Sequence, residues 1–90
     1  MTTGEKREWA KKGISIVKAS SIKPGDRILV EGEGVPRQEV EVIVPLYFYD
    51  YVTFLHKLHP LGTSVKLDDE VMRLHKNVHW LGDFRKEAQS

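Results

Sequence analysis

The stretch Val40-Glu-Val-Ile-Val-Pro-Leu-Tyr-Phe-Tyr-Asp-Tyr-Val-Thr-Phe-Leu55 constrains the fold of this chain more than any other. It is the densest apolar run and carries Tyr47, Phe48, Tyr49, Tyr51 and Phe54, five of the eight aromatic residues. β-branched and aromatic residues suit a pleated, half-buried surface. Val40, Val42 and Val44 alternate with Glu39, Glu41 and Ile43, the period-two pattern of a strand with one face buried. Pro45 cannot donate to a ladder, so it marks a bulge, a bend or an edge. The chain is expected to turn near Tyr49-Asp50 and to return as a strand from Tyr51 to Lys57.

Further elements flank this run. Residues 1–12 read as a short helix, capped by Thr3 and stopped by Gly13, or as a flexible tail. Ile14 to Ala19 reads as a strand. Pro24-Gly25 is a type II turn signal, and Arg27 to Glu31 is the next strand. Gly32 to Arg37 is punctuated as a loop, and a long strand begins at Gln38. Pro60-Leu61-Gly62 turns the chain into a strand from Thr63 to Leu67. Then the period changes. Leu67, Val71, Leu74, Val78 and Leu81 are spaced four, three, four and three apart, a helical stripe. Asp68, Asp69 and Glu70 fall in its first turn, and His75 and Lys76 fall late, as a helix dipole prefers. A helix is therefore predicted over 68–77, with a tail over 83–90.

Strands punctuated at this spacing suggest a small barrel. The phrase Ser21-Ile-Lys-Pro-Gly-Asp-Arg-Ile-Leu-Val30, followed by Glu39-Val-Glu-Val-Ile-Val44, resembles the opening of SH3-like barrels. In those, a Pro-Gly-Asp turn introduces a strand, a glycine-rich loop follows, and a second strand pairs back. The resemblance covers about a quarter of the chain and implies a fold type without a function. The expected fold is mainly β, a β-rich α+β domain spanning 1–90. It comprises a partly open SH3-like barrel of about five strands over 14–67 and a C-terminal helix. Its expected core is Ile16, Ile28, Val30, Val40, Val42, Val44, Phe48, Val52, Phe54, Leu67, Val71 and Leu74.

Composition narrows the chemistry. Ninety residues support one small core. The formal net charge of +1 creates no global field toward nucleic acid or membrane. The charge is uneven: residues 1–37 hold eight Lys/Arg against five Asp/Glu. With no cysteine, disulfides, thiolate metal sites and cysteine nucleophiles are excluded. No apolar run approaches a membrane span, and the polar N-terminal residues lack the apolar region of a signal peptide, so a cytoplasmic location is expected.

Three groups of residues are candidate sites. His56 and His59 are three apart, and His75 and His79 are four apart, a spacing that shares a helix face. All-histidine structural sites are not among the usual zinc sets, so neither a metal nor a cofactor is expected. Tyr47, Tyr49 and Tyr51 form an outward row if Leu46 and Phe48 point inward. If Pro45 shifts the register, the faces exchange and the tyrosines become core. Lys18, Lys23, Arg27 and Arg37, with Lys6, Arg7, Lys11 and Lys12, could face phosphates. No phosphate loop, nucleophile elbow or His-Glu-x-x-His pattern is present, so an enzyme is not expected.

The chain therefore reads as a non-enzymatic interaction module. It would bind another protein through an exposed aromatic strand face or a barrel edge, as small adaptors and phage-encoded inhibitors of host proteins do. A homodimer is compatible with this expectation, and a membrane partner is not. The alternative is a nucleic-acid-binding barrel using Lys18, Lys23, Arg27 and Arg37, with the tyrosines stacking on bases.

Overall fold

Thr2 and Glu5 open the first element as a capping box. The Thr2 hydroxyl accepts from the Glu5 N–H at 3.2 Å, and the Glu5 carboxylate accepts from the Thr2 N–H at 3.4 Å. The cap is thus Thr2 rather than Thr3, and helix α1 runs Thr3–Lys11. In the computed structural model, which describes residues 2–32 and 34–81, seven strands follow. They are β1 (Ile14–Lys18), β2 (Arg27–Gly32), β3 (Val35–Glu41), β4 (Val44–Phe48), β5 (Tyr51–Leu55), β6 (Thr63–Lys66) and β7 (Glu70–Leu74). The stretch 83–90, expected as a tail, lies outside the described residues.

The strands form two antiparallel sheets, not a closed barrel. The larger has the order β1-β7-β2-β3 and the smaller β4-β5-β6. The valine-rich stretch that reads as one long strand is divided between them. After Glu41 the chain leaves the larger sheet. Val42 is held by main-chain bonds on both sides, its N–H donating to Asp26 and its carbonyl accepting from Gly25. Ile43 then donates to Leu55, and the smaller sheet begins. The chain bends at Ile43 and the alternation slips there: Val40 and Val42 are buried, but Val44 falls on the same face as Leu46 and Phe48, while Pro45 and Tyr47 share the face of buried Phe54 and Val52.

The larger correction concerns residues 68–77, which contain no helix. Glu70–Leu74 is an inner strand, paired along its length with β1, from Ile14↔Leu74 to Lys18↔Glu70, and bridged to β2 at Ile28↔Arg73. The acids that resemble a helix start make a turn instead. The Asp69 carboxylate accepts from the Lys66 N–H at 3.3 Å, and the Asp69 N–H donates to the Lys66 carbonyl at 3.0 Å. The misleading spacing has a physical cause: both faces of this sheet are apolar. Val71 enters one core, while Met72 and Leu74 enter the other. Apolar residues on alternate faces can mimic a spacing of three.

The first core lies between the sheets and contains Ala19, Ile22, Ile28, Val40, Val42, Val52 and Phe54. Val17, Val30, Val65, Leu67 and Val71 pack against it. The second lies on the outer face of the larger sheet. There Ile14, Leu29 and Leu74 are covered by Trp9 of α1 and by Val78 and Trp80. Expected core residues Ile28, Val40, Val42, Val52, Phe54 and Leu74 are buried, and Ile16 and Val44 are half-buried. Phe48 is not core: it is 69% exposed.

Candidate functional site

Two-residue loop Tyr49-Asp50 joins β4 to β5, with the register Phe48↔Tyr51, Tyr47↔Val52, Leu46↔Thr53 and Pro45↔Phe54. Residues paired across an antiparallel ladder share a face. Leu46, Phe48 and Tyr51 therefore lie on the outer face, away from buried Val52 and Phe54. Tyr47, paired with buried Val52, lies on the inner face and is nonetheless exposed. The three tyrosines share a hairpin tip without sharing a face, because the turn resets the alternation between Phe48 and Tyr51. Both sets compared in the sequence are exposed: Leu46 49%, Tyr47 57%, Phe48 69%, Tyr49 86% and Tyr51 47%.

Tyr49 has a φ of 54°, in the left-handed region. A bulky residue is an outlier there, and the conformation costs about 1–2 kcal/mol. Its ring makes an edge contact with Phe48, with centroids 4.6 Å apart and planes at 74°. The tip is nonetheless anchored, since the Asp50 carbonyl accepts from the Leu67 N–H at 2.8 Å. Beside it opens a cleft of about 350 Å³ lined by Asp50, Tyr51, Lys66, Leu67 and Asp68.

The four basic residues of the alternative are not equivalent. Lys18 and Lys23 are exposed. Arg27 is engaged inside the fold: it pairs with Glu39 at 2.9 Å and donates to the carbonyls of Val78 and, at 2.7 Å, His75. Arg37 lies over the rings of Trp9 and Trp80, 5.4 and 5.7 Å from their centroids, and 3.7 Å from Glu31.

The histidines are separated by their partners. His56 is buried, with Nε2 2.8 Å from the Thr63 hydroxyl and Nδ1 accepting from the Leu58 N–H at 3.3 Å. Burial, and then the neighbouring His59, hold its pKa below the usual value. His59 Nδ1 accepts from the Leu61 N–H. His75 Nε2 lies 2.6 Å from the Ser15 hydroxyl, while His79 Nδ1 lies 3.3 Å from Glu39. Among the described residues, no group of three or more His, Asp or Glu is placed to hold a metal ion. No helix among them is long and apolar enough to cross a membrane.

One polar centre escapes the sequence. Glu39 binds Arg27, accepts from the Trp80 N–H at 2.9 Å and lies beside His79. Burial alone would raise its pKa. The Trp80 N–H, Arg27 and His79 outweigh that and hold it below the ordinary carboxylate value. The alternation of Glu39 and Glu41 with valines was its only signal, and this marks a solvent-facing position equally well.

Comparison with known proteins finds no counterpart: no family model, no curated protein and no solved structure matches this chain.

Proposed function

We propose that the protein is a non-enzymatic interaction module that docks on another protein through the β4–β5 hairpin. The observation that carries this reading is the exposure of Leu46, Tyr47, Phe48, Tyr49 and Tyr51 on one anchored tip. Exposed aromatic patches of this kind mark interaction sites, and tyrosine is enriched among the residues that dominate interface energies. The strained backbone at Tyr49 supports it, because an 86% exposed ring returns little to the fold for that cost. The module fits an adaptor or an inhibitor of a larger protein.

The test is capture of partners from source cells by the wild-type chain and by Phe48→Ser and Tyr49→Ala variants, with and without nuclease. A protein retained by the wild type alone, insensitive to nuclease and to salt, supports the reading. Retention of nucleic acid that weakens steeply with salt would instead favour base stacking on the tyrosines with Lys18 and Lys23 on phosphates.

A further inference from the structure

Among the described residues, strand β4 is one of the two edges of the smaller sheet, whose order is β4-β5-β6. Four strands lie at sheet edges among the described residues. Strand β1 ends in Lys18 and is flanked by α1, β3 carries Arg37, Glu39 and Glu41, and β6 ends in Lys66. Charges at an edge oppose strand addition, and β4 has none in its sequence Val-Pro-Leu-Tyr-Phe. Phe48 and Tyr51 flank the two-residue loop and so form a hydrogen-bonded pair. Alternation then turns the main-chain groups of Leu46 and Val44 toward β5, and those of Tyr47 and Pro45 toward the free edge. Pro45, with no N–H, leaves Tyr47 as the strand's edge-facing donor.

Resting on the hairpin as a docking surface, we infer that its occupant is the β4 edge of a second copy, paired antiparallel about a two-fold axis at Tyr47. In this register the Tyr47 N–H of each copy donates to the Tyr47 carbonyl of the other. No β4 donor at the edge is left over, and the missing N–H of Pro45 is not called upon within the strand. The side chains match as well. Tyr47 meets Tyr47 of the second copy, Leu46 meets Phe48, and Pro45 meets Tyr49. Each of the exposed β4 residues thus gains an apolar neighbour, and the two three-stranded sheets become one of six strands. An isologous pairing of this kind closes on itself and does not propagate.

The size of the contact sets its strength. Aromatic side chains carry about 150–250 Å² each, so the exposed fractions here leave on the order of 500 Å² per copy to cover. About 1,000 Å² in total is the lower limit of a specific interface, which makes the dimer weak and exchangeable. Self-pairing would therefore cover the tip while leaving it open to a competing protein.

Sedimentation of the full chain should show the mass rising toward twice the monomer value between about 1 µM and 1 mM, a span centred on typical weak affinities. Leu46→Lys should remain monomeric throughout, with its circular dichroism unchanged. The chain has no cysteine of its own, so cross-linking reads the register. In a hydrogen-bonded pair the Cα atoms are about 5.5 Å apart, within disulfide reach. Tyr47→Cys should therefore form a covalent dimer on mild oxidation. Leu46→Cys should not, because its equivalent lies on a diagonal of about 7–8 Å. A monomeric mass up to about 1 mM, or equal cross-linking of the two variants, overturns the self-pairing. Partner capture by the hairpin is read in the separate pull-down and does not fall with it.

Discussion

The Glu39 carboxylate accepts the backbone N–H of Trp80 at 2.9 Å, across 41 residues of sequence. It does so while paired with Arg27, whose guanidinium also donates to the carbonyls of His75 and Val78. A charge on β3 and one on β2 therefore hold the segment that follows β7 against the outer face of the larger sheet. Trp80 completes the attachment, its indole N–H donating to the Arg37 carbonyl at 3.2 Å. Glu39→Ala should cost about 2–3 kcal/mol, since it leaves Arg27 without its partner and the Trp80 N–H without an acceptor. Equilibrium urea unfolding measures this.

Acid should act through the same carboxylate. Its pKa is held below the ordinary 4.5, so the unfolded chain binds the proton more readily. The stability it contributes is fully present above about pH 4.5 and is lost as pH falls through the lower, folded value. Glu39→Gln should flatten the pH dependence of the urea midpoint in that acid range and leave its slope near pH 6 unchanged.

His56 should act at milder pH. Its Nδ1 already accepts the Leu58 N–H, so adding a proton there sets two donors against each other. With the folded pKa below the ordinary 6.5, the unfolded chain again takes up the proton first. The contribution is present above about pH 6.5 and is lost as pH falls through the folded value. A melting temperature that drops between pH 7.5 and 5.5, and drops less in His56→Asn, is the expected result.

Two phenylalanines should report opposite environments. Phe54 is fully buried and Phe48 is 69% exposed. Phe54→Ala should cost about 3–5 kcal/mol, and Phe48→Ala should stay within about 0.5 kcal/mol. Comparable losses in chemical denaturation would place Phe48 back in the core.

Tyr49→Gly should raise stability by about 1 kcal/mol, because glycine accepts its φ of 54° without a steric cost. The same substitution should weaken docking by at least about 2 kcal/mol if Tyr49 is a central contact. Titration calorimetry with the captured partner and thermal melts of the free protein read the two effects separately.

The β character of the chain was legible because alternation and turn residues are local signals. Arg27 to Glu31, the Tyr49-Asp50 turn and the return from Tyr51 were readable for that reason. The division into two sheets was not, since no glycine or proline marks the bend at Ile43 where the valine-rich run changes partners. The C-terminal strand was misread because Val71 and Leu74 serve different cores, a fact that exists only once β7 is enclosed by β1 and β2. At the hairpin the aromatic residues could be named from sequence, but their faces could not. A two-residue turn exchanges odd and even positions, so Tyr51 joins Phe48 and not Tyr47. The Glu39 centre joins β2, β3 and the segment after β7, and a partnership at that separation leaves no periodic trace.

The placement of β7 between β1 and β2 also governs the order of assembly. Hairpin β4–β5 closes over two residues and can form within microseconds, whereas β1 pairs, among the described residues, only with β7, about sixty residues downstream. On the ribosome, Ile14–Lys18 must wait for this pairing until β7 has emerged. The aromatic tip is therefore shaped early, and the larger sheet is completed late. The slow step of folding should be this closure, and destabilising substitutions at the β4–β5 turn should act on it only weakly.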